Sequence, residues 1–316
     1  MTSATHITKI AIVGASGNVG SYITSSLLST SKFTLTALTR ADSTATFPAS
    51  VQVAKIDYTK PETVVQALKG QEALIITLGV QAGDAESKLV KAAGEAGVKF
   101  ILNNEWCPDS ENVGLGRDVP LFQHRGATRK EIAELGKSSY ISVGTGFWYE
   151  WSLAIPDAFG FDIQNRKVTF FDDGETKIST STWPQVGRAV ASLLSLPLQT
   201  LTQTYSNRLI HVSSFTVSQK QMFASLLRVT NTSESDWQIT YEPTTERFDK
   251  AKEEVAQGNF RAYAKLMYTR VFYKDGTGDL TGRLEDEKLG LVEEDLDEAT
   301  GRAVERSKVN PFGYSQ

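Results

Sequence analysis

The sequence predicts an α/β protein with a Rossmann-type, doubly wound parallel sheet, followed by a smaller C-terminal α+β lobe. Three observations predict this fold. Short apolar runs alternate with helix-like segments over residues 9–143, a glycine-rich turn follows the first run, and polar side chains follow the later runs. Such alternation is typical of βαβ units, in which helices cover both faces of one sheet.

The glycine-rich turn lies between the first predicted strand, residues 10–13, and a helix predicted over residues 19–28. Glycines let backbone N–H groups come close to a pyrophosphate, and the dipole of the following helix favours its negative charge. An ordinary turn is the alternative, since a glycine pattern alone is a weak signal. We assign to cofactor binding the turn residues Gly14, Ser16, Gly17, Asn18, Val19 and Gly20.

The second predicted strand, residues 33–39, runs directly into Arg40. A carboxylate here would bind the ribose 2′-hydroxyl of NAD, whereas a guanidinium suits the 2′-phosphate of NADP. Thr39 and Arg40 therefore predict NADP(H) as the cofactor. The alternatives are that Arg40 is a solvated side chain and that nearby Asp42 is the ribose-binding acid.

The next elements continue the same pattern. Residues 51–56 are predicted as the third strand and residues 61–68 as a helix, because Pro61 stands at its start and Gly70 just past its end. Residues 73–78 form a nearly continuous apolar run. This run predicts a strand that is buried on both faces, near the centre of the sheet.

The remainder of the first half completes the predicted sheet. Residues 85–96 are predicted as a helix and residues 98–102 as the fifth strand. Glycine, proline and charged residues dominate residues 109–121 and predict a loop. A helix over residues 128–135 and a strand over residues 140–143 follow.

The second half shows a looser pattern without an internal repeat or a low-complexity linker. It predicts strands over residues 167–171, 178–182 and 209–212, and helices over residues 185–194, 218–227, 246–255, 260–268 and 293–306. We expect an NADP-binding domain over residues 1–152, with later strands completing its sheet. Residues 153–316 are expected to form mainly the substrate-binding lobe, packed over the sheet edge.

Composition excludes several classes of function. The 316 residues carry a net charge of −4 and no long run of lysine or arginine, which argues against nucleic-acid binding. The single cysteine, Cys107, allows no intramolecular disulfide, and no cysteine and histidine cluster has metal-ligand spacing. Residues 1–8 are polar, and no apolar run has membrane-spanning length. We expect a cytoplasmic protein without a metal, a membrane or a nucleic-acid partner.

Side chains at the carboxyl ends of parallel strands meet at the edge where ligands bind in this fold. By position, Asp57 is predicted to meet the adenine, and Leu78 and Gly79 to lie along the cofactor. Asn103 is predicted to hydrogen-bond the nicotinamide end. Glu105 is predicted to orient the nicotinamide ribose or the catalytic groups, with capping of the next turn as the alternative.

The segment after the strand at residues 140–143 is unusually aromatic. Gly146 and Phe147 at its start are expected to line the cofactor. The four rings of this segment, Phe147, Trp148, Tyr149 and Trp151, are predicted to sandwich a flat aromatic substrate, although aromatic clusters usually belong to a core. Trp106, which follows the fifth strand, is assigned to substrate binding together with Trp148, Tyr149 and Trp151. The Tyr149 hydroxyl is a candidate proton donor.

The motifs together resemble the NmrA-like and isoflavone-reductase-like branch of atypical short-chain dehydrogenases, and most closely its fungal members. The resemblance rests on the glycine turn, on Thr39-Arg40, and on the segments at residues 100–106, 146–150 and 288–292. It implies an NADPH-binding Rossmann domain with a smaller substrate lobe. Enzymes of this branch reduce aromatic or enone-bearing secondary metabolites, including isoflavones and benzylic ethers.

The catalytic machinery departs from the family pattern. No Tyr-x-x-x-Lys pair follows the fourth strand, and the resembling reductases use a lysine four residues before an arginine. Matching Arg129 to that arginine places Arg125 on the lysine's position, and a shift of one residue would place His124 there. Arginine stabilises an oxyanion but is a poor proton donor, so His124 is a candidate acid.

Two functions stay open at this point. The first is an NADPH-dependent reductase of a small aromatic or conjugated (enone, quinone or benzylic) secondary metabolite, active as a monomer or homodimer. The second is a non-catalytic NmrA-like redox sensor that binds NADP and acts through a protein partner. The sensor stays open because the family lysine is missing, whereas the aromatic segment favours the reductase.

Overall fold

The computed structural model describes residues 6–79 and 82–309. The strands are β1 (Lys9–Val13), β2 (Thr34–Arg40), β3 (Gln52–Ile56), β4 (Ala73–Ile76), β5 (Phe100–Leu102), β6 (Ser139–Gly144), β7 (Phe147–Trp148), β8 (Phe161–Asp162), β9 (Lys167–Phe171), β10 (Lys177–Ser181), β11 (Arg208–His211), β12 (Phe215–Ser218) and β13 (Gln238–Glu242).

The α-helices are α1 (Asn18–Ser29), α2 (Pro61–Leu68), α3 (Ala85–Ala96), α4 (Val113–Asp118), α5 (Pro120–Leu135), α6 (Tyr149–Leu153), α7 (Pro156–Phe159), α8 (Trp183–Leu194), α9 (Leu198–Thr200), α10 (Gln219–Thr230), α11 (Thr244–Ala256), α12 (Ala262–Arg270) and α13 (Leu296–Ser307). Short 3-10 turns lie at Glu234–Asp236 and Thr281–Arg283, and one π-helical turn lies at Leu201–Tyr205.

Seven parallel strands form the main sheet in the order β11-β6-β5-β4-β1-β2-β3. The predicted doubly wound Rossmann fold is confirmed, and β4 lies at the centre as its apolar sequence predicted. The strand order reverses between β1 and β4, which is the switch point where ligands bind in such sheets. The last strand, β11, comes from the second half of the chain.

Side chains of β1 alternate between the two faces of the sheet. Ile10 and Ile12 join the core under α1 and α8, whereas Ala11 and Val13 join the core under α2, α3 and α5. Helix α8 lies so close to α1 that a Cβ on Gly187 would be 2.6 Å from a backbone oxygen of α1. Both faces are therefore covered, and the carboxyl edge of the sheet is left for a ligand.

The C-terminal lobe is α+β, as predicted. It contains two three-stranded sheets, β12-β10-β7 and β13-β9-β8, packed with α10 to α13. Its core is aromatic, and Phe159, Phe171 and Phe272 are fully buried in it. This lobe packs beside the carboxyl edge through the crossing segment that follows β6.

The loop predicted over residues 109–121 is wrong, because α4 and the first two residues of α5 lie there. The Asn112 side chain caps α4 by accepting a hydrogen bond from the Leu115 N–H at 2.9 Å, and Pro120 begins α5. Asp118 at the end of α4 binds Arg270 of α12 at 2.7 Å. The two residues of this ion pair are far apart in the chain, so no local pattern in the sequence predicts it.

Within residues 6–79 and 82–309, none of the helices combines the length and the apolar character needed to cross a membrane. The same residues contain no cluster of acidic, histidine or cysteine side chains that would hold a metal ion.

Candidate functional site

The glycine turn packs tightly between β4 and the start of α1. Gly14 has φ +79°, and a Cβ there would lie 2.1 Å from the Thr77 carbonyl oxygen. A Cβ on Gly20 would lie 2.1 Å from the Gly14 carbonyl oxygen. Gly14 and Gly20 are therefore required by backbone packing, which holds the first turn of α1 against the carboxyl edge.

A cavity of about 380 Å³ runs from this turn to the end of β2. Gly14 and Ser16 line one end, and Arg40 and Ser43 line the other. Gly17 at the N-cap of α1 has no side chain, so no side-chain hydrogen bond caps the first helical N–H groups. A bound phosphate would satisfy these N–H groups and the helix dipole.

Arg40 lines the cavity, and a second cation, Lys55, lies behind it. The exposed Arg40 side chain lies 3.6 Å from Asp42, measured from Nε to Oδ1. Lys55 donates from Nζ to the carbonyl oxygens of Arg40 and Ser43 at 3.4 and 3.0 Å. No local pattern in the sequence predicts this contact, because Lys55 reaches the turn only through the pairing of β3 with β2, which sets it opposite Thr39.

Asp57 occupies a depression beside the cavity and not its main wall. Its Oδ1 accepts hydrogen bonds from the Thr59 backbone N–H and hydroxyl at 2.9 and 2.7 Å. These bonds lower the pKa of Asp57. Tyr58 and Leu78 do line the cavity, whereas Gly79 is absent from its wall.

Two asparagines join the carboxyl ends of neighbouring strands. The Asn104 side chain accepts from the Leu78 N–H at 3.1 Å and donates to the Leu78 carbonyl at 2.9 Å. Asn103 donates to Glu105 at 2.9 Å and accepts from Ser142 at 2.5 Å. Asn103 is buried, so its amide holds the strand ends together and is not presented to the cavity.

Glu105 is a buried anion held by the loop that follows β5. Its carboxylate accepts from the Ser110 hydroxyl and lies 3.3 Å from Arg129 Nε. Arg129 also pairs with Glu111. Glu105 therefore organises this loop, in agreement with a positioning role and with its complete burial.

Arg125 and Glu86 converge on Asn104 from two helices. Arg125 donates from Nη1 to the Asn104 carbonyl at 3.0 Å, and Glu86 accepts from the Asn104 N–H at 2.7 Å. Burial raises the pKa of Glu86, against the opposing effects of the Asn104 hydrogen bond and the Arg125 charge. Ala85, the neighbour of Glu86, lines the cavity. The pair is thus joined through Asn104 to Leu78, which also lines the cavity, without being part of the wall itself.

His124 does not join this pair. The His124 side chain is exposed on α5, and within the described part of the chain it makes no hydrogen bond or ion pair. Arg125 is half-buried on the same helix. Of the two residues aligned with the family lysine, the structure brings Arg125 to the carboxyl edge. Glu86 was missed because only the tertiary fold sets α3 beside α5.

Tyr149 lies in the core of the C-terminal lobe, away from the groove. Its hydroxyl is 2.7 Å from the Thr300 hydroxyl, and its ring meets Phe215 edge to face at 5.2 Å. Burial raises the pKa of Tyr149, so the hydroxyl keeps its proton at neutral pH. The structure does not bring this predicted proton donor to the cofactor.

Tyr149→Phe is therefore expected to leave turnover unchanged and to lower the free energy of unfolding by about 1 kcal/mol, the usual net contribution of one buried hydrogen bond. Urea denaturation and steady-state kinetics measure the two effects. A large loss of turnover in a stably folded variant would restore Tyr149 as a catalytic candidate.

The sequence relationships agree with this geometry. A model described as the NmrA-like family matches residues 7–256. The chain belongs to the NmrA-like family. It is 29% identical to oxidoreductase aprR of Aspergillus flavus, covering 82% of this chain and 85% of that protein. It is 31% identical to oxidoreductase poxI of Penicillium oxalicum, covering 70% of each.

Solved structures show the same fold. An isoflavone reductase superposes on this NmrA-like protein with a TM-score of 0.74 at 19% identity, covering 94% of this chain and 99% of that one. AtPrR2 with NADP⁺ and (+)-pinoresinol superposes with a TM-score of 0.75 at 17% identity, covering 93% and 98%. The predicted family and fold are confirmed.

Trp148 and Trp151 of the NmrA-like protein join a third tryptophan. Their rings lie 6.4 and 6.1 Å from the ring of Trp183, which begins α8. Tyr22 of α1 stacks on Trp183 at 6.1 Å, and Arg306 of α13 lies 4.6 Å above it. Trp148, Trp151 and Trp183 form a tryptophan cluster on the α1 and α8 side of the molecule, in which Trp148 and Trp151 are half-buried and Trp183 is buried.

Trp106 takes a different position. Its indole N–H donates to the Ile76 carbonyl at the end of β4, at 2.8 Å, and its ring packs with Val19 against the core under α1. It thus lies at the carboxyl edge beside the first turn of α1.

Gly146 and Phe147 belong to the joint between the sheet and the lobe. Gly146 has φ +63°, and a Cβ there would lie 2.1 Å from the Ser179 carbonyl oxygen. Phe147 is buried and stacks on Tyr268 at 4.0 Å. Both residues support the segment after β6, and the structure does not place them in the wall of the cavity.

Proposed function

We propose that this NmrA-like protein is an NADPH-dependent reductase that transfers hydride to a small aromatic or conjugated metabolite, of the enone, quinone or benzylic type. One observation carries the proposal. The glycine turn and Arg40 line a single cavity on the carboxyl edge, at the switch point of the sheet, and Lys55 holds the backbone of Arg40 and Ser43 from behind.

The residues of this cavity fit NADP(H). The N–H groups at the start of α1 would hold the pyrophosphate, and Arg40 would hold the 2′-phosphate with Lys55 behind it. Tyr58 and Leu78 supply the walls between these ends. The bound cofactor supplies the hydride, and the protein supplies binding, orientation and electrostatics.

Arg125 supplies the electrostatic part of the chemistry in this proposal. Its guanidinium is charged at any working pH and is held at the carboxyl edge by the Asn104 carbonyl. A fixed cation there stabilises negative charge that develops on an acceptor oxygen. Glu86 holds the backbone N–H of the same Asn104, and the Arg125 charge opposes the rise of the Glu86 pKa.

The aromatic acceptor rests on two supports. The tryptophan cluster gathers the rings of Trp148 and Trp151 around Trp183, beside Tyr22 of α1, and aromatic ligands stack on rings of this kind. The two relatives aprR and poxI are named oxidoreductases, and the AtPrR2 structure, which shares the fold, contains NADP⁺ and (+)-pinoresinol.

Calorimetry with NADPH and NADH, followed by NADPH oxidation assays with menadione and chalcone, tests the proposal. We expect tight binding of NADPH, weak binding of NADH, and turnover with at least one acceptor. Binding of NADPH without turnover across a wider acceptor panel would favour the sensor. A chain that binds neither nucleotide would refute both functions.

Arg40→Ala is expected to weaken NADPH binding by about 10- to 100-fold, the usual effect of losing a charge-assisted contact, and to leave NADH binding unchanged. Lys32→Ala removes an exposed cation elsewhere on the same domain and serves as the control. Equal losses for NADPH and NADH would show that Arg40 does not read the 2′-phosphate.

A further inference from the structure

A segment beyond the family match reaches the loop that follows β5. Arg283 closes the 3-10 turn at Thr281–Arg283, outside the matched residues 7–256. Its Nη1 contacts Asp109 Oδ2, and its Nη2 lies 3.7 Å from Glu111 Oε2. The Asp109 side chain is 4% exposed, so Arg283 neutralises a buried acid.

The ion pairs continue toward the carboxyl edge. Glu111 pairs with Arg129, and Arg129 lies 3.3 Å from the fully buried Glu105. Three acids thus stand within seven residues of one loop, at 105, 109 and 111. Such charges repel one another at low dielectric, and two arginines from distant parts of the chain hold them together.

His211 at the end of β11 completes the network. Its Nε2 lies 3.8 Å from Asp109 Oδ1, and neither ring nitrogen has a hydrogen-bond partner in the described residues. Burial and the Arg283 charge lower the pKa of His211 to about 4, although Asp109 and Glu111 act in the opposite direction. Arg283 therefore supplies the positive charge beside Asp109 that a protonated His211 would otherwise supply.

The loop that carries these three acids begins beside Arg125, the candidate catalytic residue. Asn104, which holds Arg125 and Glu86, directly precedes Glu105. Farther along, the Cys107 carbonyl accepts from the Thr145 N–H at 3.0 Å, which joins the loop to the end of β6. A shift of this loop would displace Asn104 and its partners.

We propose that Arg283 is a positioning residue for hydride transfer, and that it acts from the C-terminal segment by fixing the loop that carries Asn104 and Glu105. The proposal rests on the reductase function proposed above. It assigns to residues outside the family match a part in setting Arg125 at the carboxyl edge.

The first test reads the network without turnover. Cofactor-free protein contains three histidines, so His211 can be followed by imidazole NMR once His6→Gln and His124→Gln have assigned the other two. We expect wild-type His211 to stay neutral down to about pH 4. In Arg283→Ala its pKa should rise clearly above the wild-type value, because Asp109 and Glu111 then act on His211 without the opposing Arg283 charge, while the lowering by burial remains.

The second test separates positioning from folding. With menadione as acceptor, Arg283→Ala should lower kcat by about 100-fold, the scale of a 1 Å misplacement, and leave the Kd for NADPH unchanged. Arg283→Lys should keep His211 neutral and restore part of kcat. Arg302→Ala is the control, because Arg302 of the same segment pairs with buried Glu150 at 3.0 Å, away from the loop.

The outcomes are distinct. Unchanged kcat and an unchanged His211 titration in Arg283→Ala would overturn the proposal, as would equal losses in Arg302→Ala. If Arg283→Ala does not fold, Arg283→Gln takes its place with the same expectations. A wild type that oxidises no NADPH with any acceptor would refute the reductase function, and the positioning role with it, while the His211 titration would still report the ion network.

Discussion

Arg125→Gln is expected to reduce NADPH-dependent turnover by about 100- to 1000-fold and to leave NADPH affinity unchanged. Removing a single preorganised donor to a developing oxyanion has effects of this size. Arg125 contacts the Asn104 carbonyl and not the cavity wall, so cofactor binding does not depend on it. Steady-state kinetics with menadione or chalcone, together with calorimetry for NADPH, measure the two quantities.

The same helix provides the controls. Lys130→Gln removes an exposed cation of α5 that lies 3.7 Å from Glu134, and it should change neither quantity. His124→Gln tests the other alignment with the family lysine. A loss of turnover in His124→Gln, with Arg125→Gln unaffected, would place the chemistry on His124. Arg125→Lys, which introduces the family's residue, should retain part of the activity and add a dependence on pH.

Gly14→Ala is expected to lower the free energy of unfolding by about 2–5 kcal/mol and to abolish NADPH binding. The methyl group would lie 2.1 Å from the Thr77 carbonyl oxygen, at a residue whose φ is +79°. The Cβ position is set by the Gly14 backbone, and the atom it meets is a backbone oxygen. Neither atom can rotate away, so the turn must move away from β4. Urea denaturation and calorimetry measure the two effects.

Two other glycines serve as controls, because they separate the cost of a positive φ from the cost of the atomic overlap. Gly70 has φ +76° with no atom within 4 Å of its Cβ position, so Gly70→Ala should cost only about 1–2 kcal/mol. Gly17→Ala, with ordinary φ and a nearest contact of 3.1 Å to the Gly14 carbonyl oxygen, should fold almost normally. Equal losses in all three variants would show that the predicted overlap at Gly14 is relieved.

Local signals predicted some helices to the residue. Helices α2 and α3 begin and end where the sequence indicated, because a proline at the start of one and a left-handed Gly97 after the other act within a single turn of chain. The loop predicted over residues 109–121 was wrong because its glycine, proline and charged residues masked the local helix starts at Asn112 and Pro120, and because Asp118 finds its partner Arg270 only on α12. The short strands β7 and β13 were missed because each forms by pairing with a strand far away in the chain, β10 and β9.

The site residues also separate into those that local sequence predicts and those that only the tertiary structure reveals. Spacing predicted the glycine turn and Arg40, which the structure places along one cavity, since a turn and the end of the next strand are set by neighbours in sequence. Lys55 and Glu86 were missed because strand register brings Lys55 to the Arg40 backbone and helix packing brings Glu86 to Asn104. Tyr149 was predicted at the groove but packs in the lobe, because its hydroxyl finds Thr300 on α13.

The sequence by itself determined the family, the alternation of strands and helices in the first half of the chain, and the turn that favours a dinucleotide. Those properties follow from periodicity, glycine positions and charge within short stretches of chain. Only the tertiary structure decided which side chains meet at the carboxyl edge, and it brought Arg125 there with Glu86, and Arg283 to the adjoining loop. The reason is that a buried charge is stable only beside its partner, and these partners lie up to 174 residues apart in the chain.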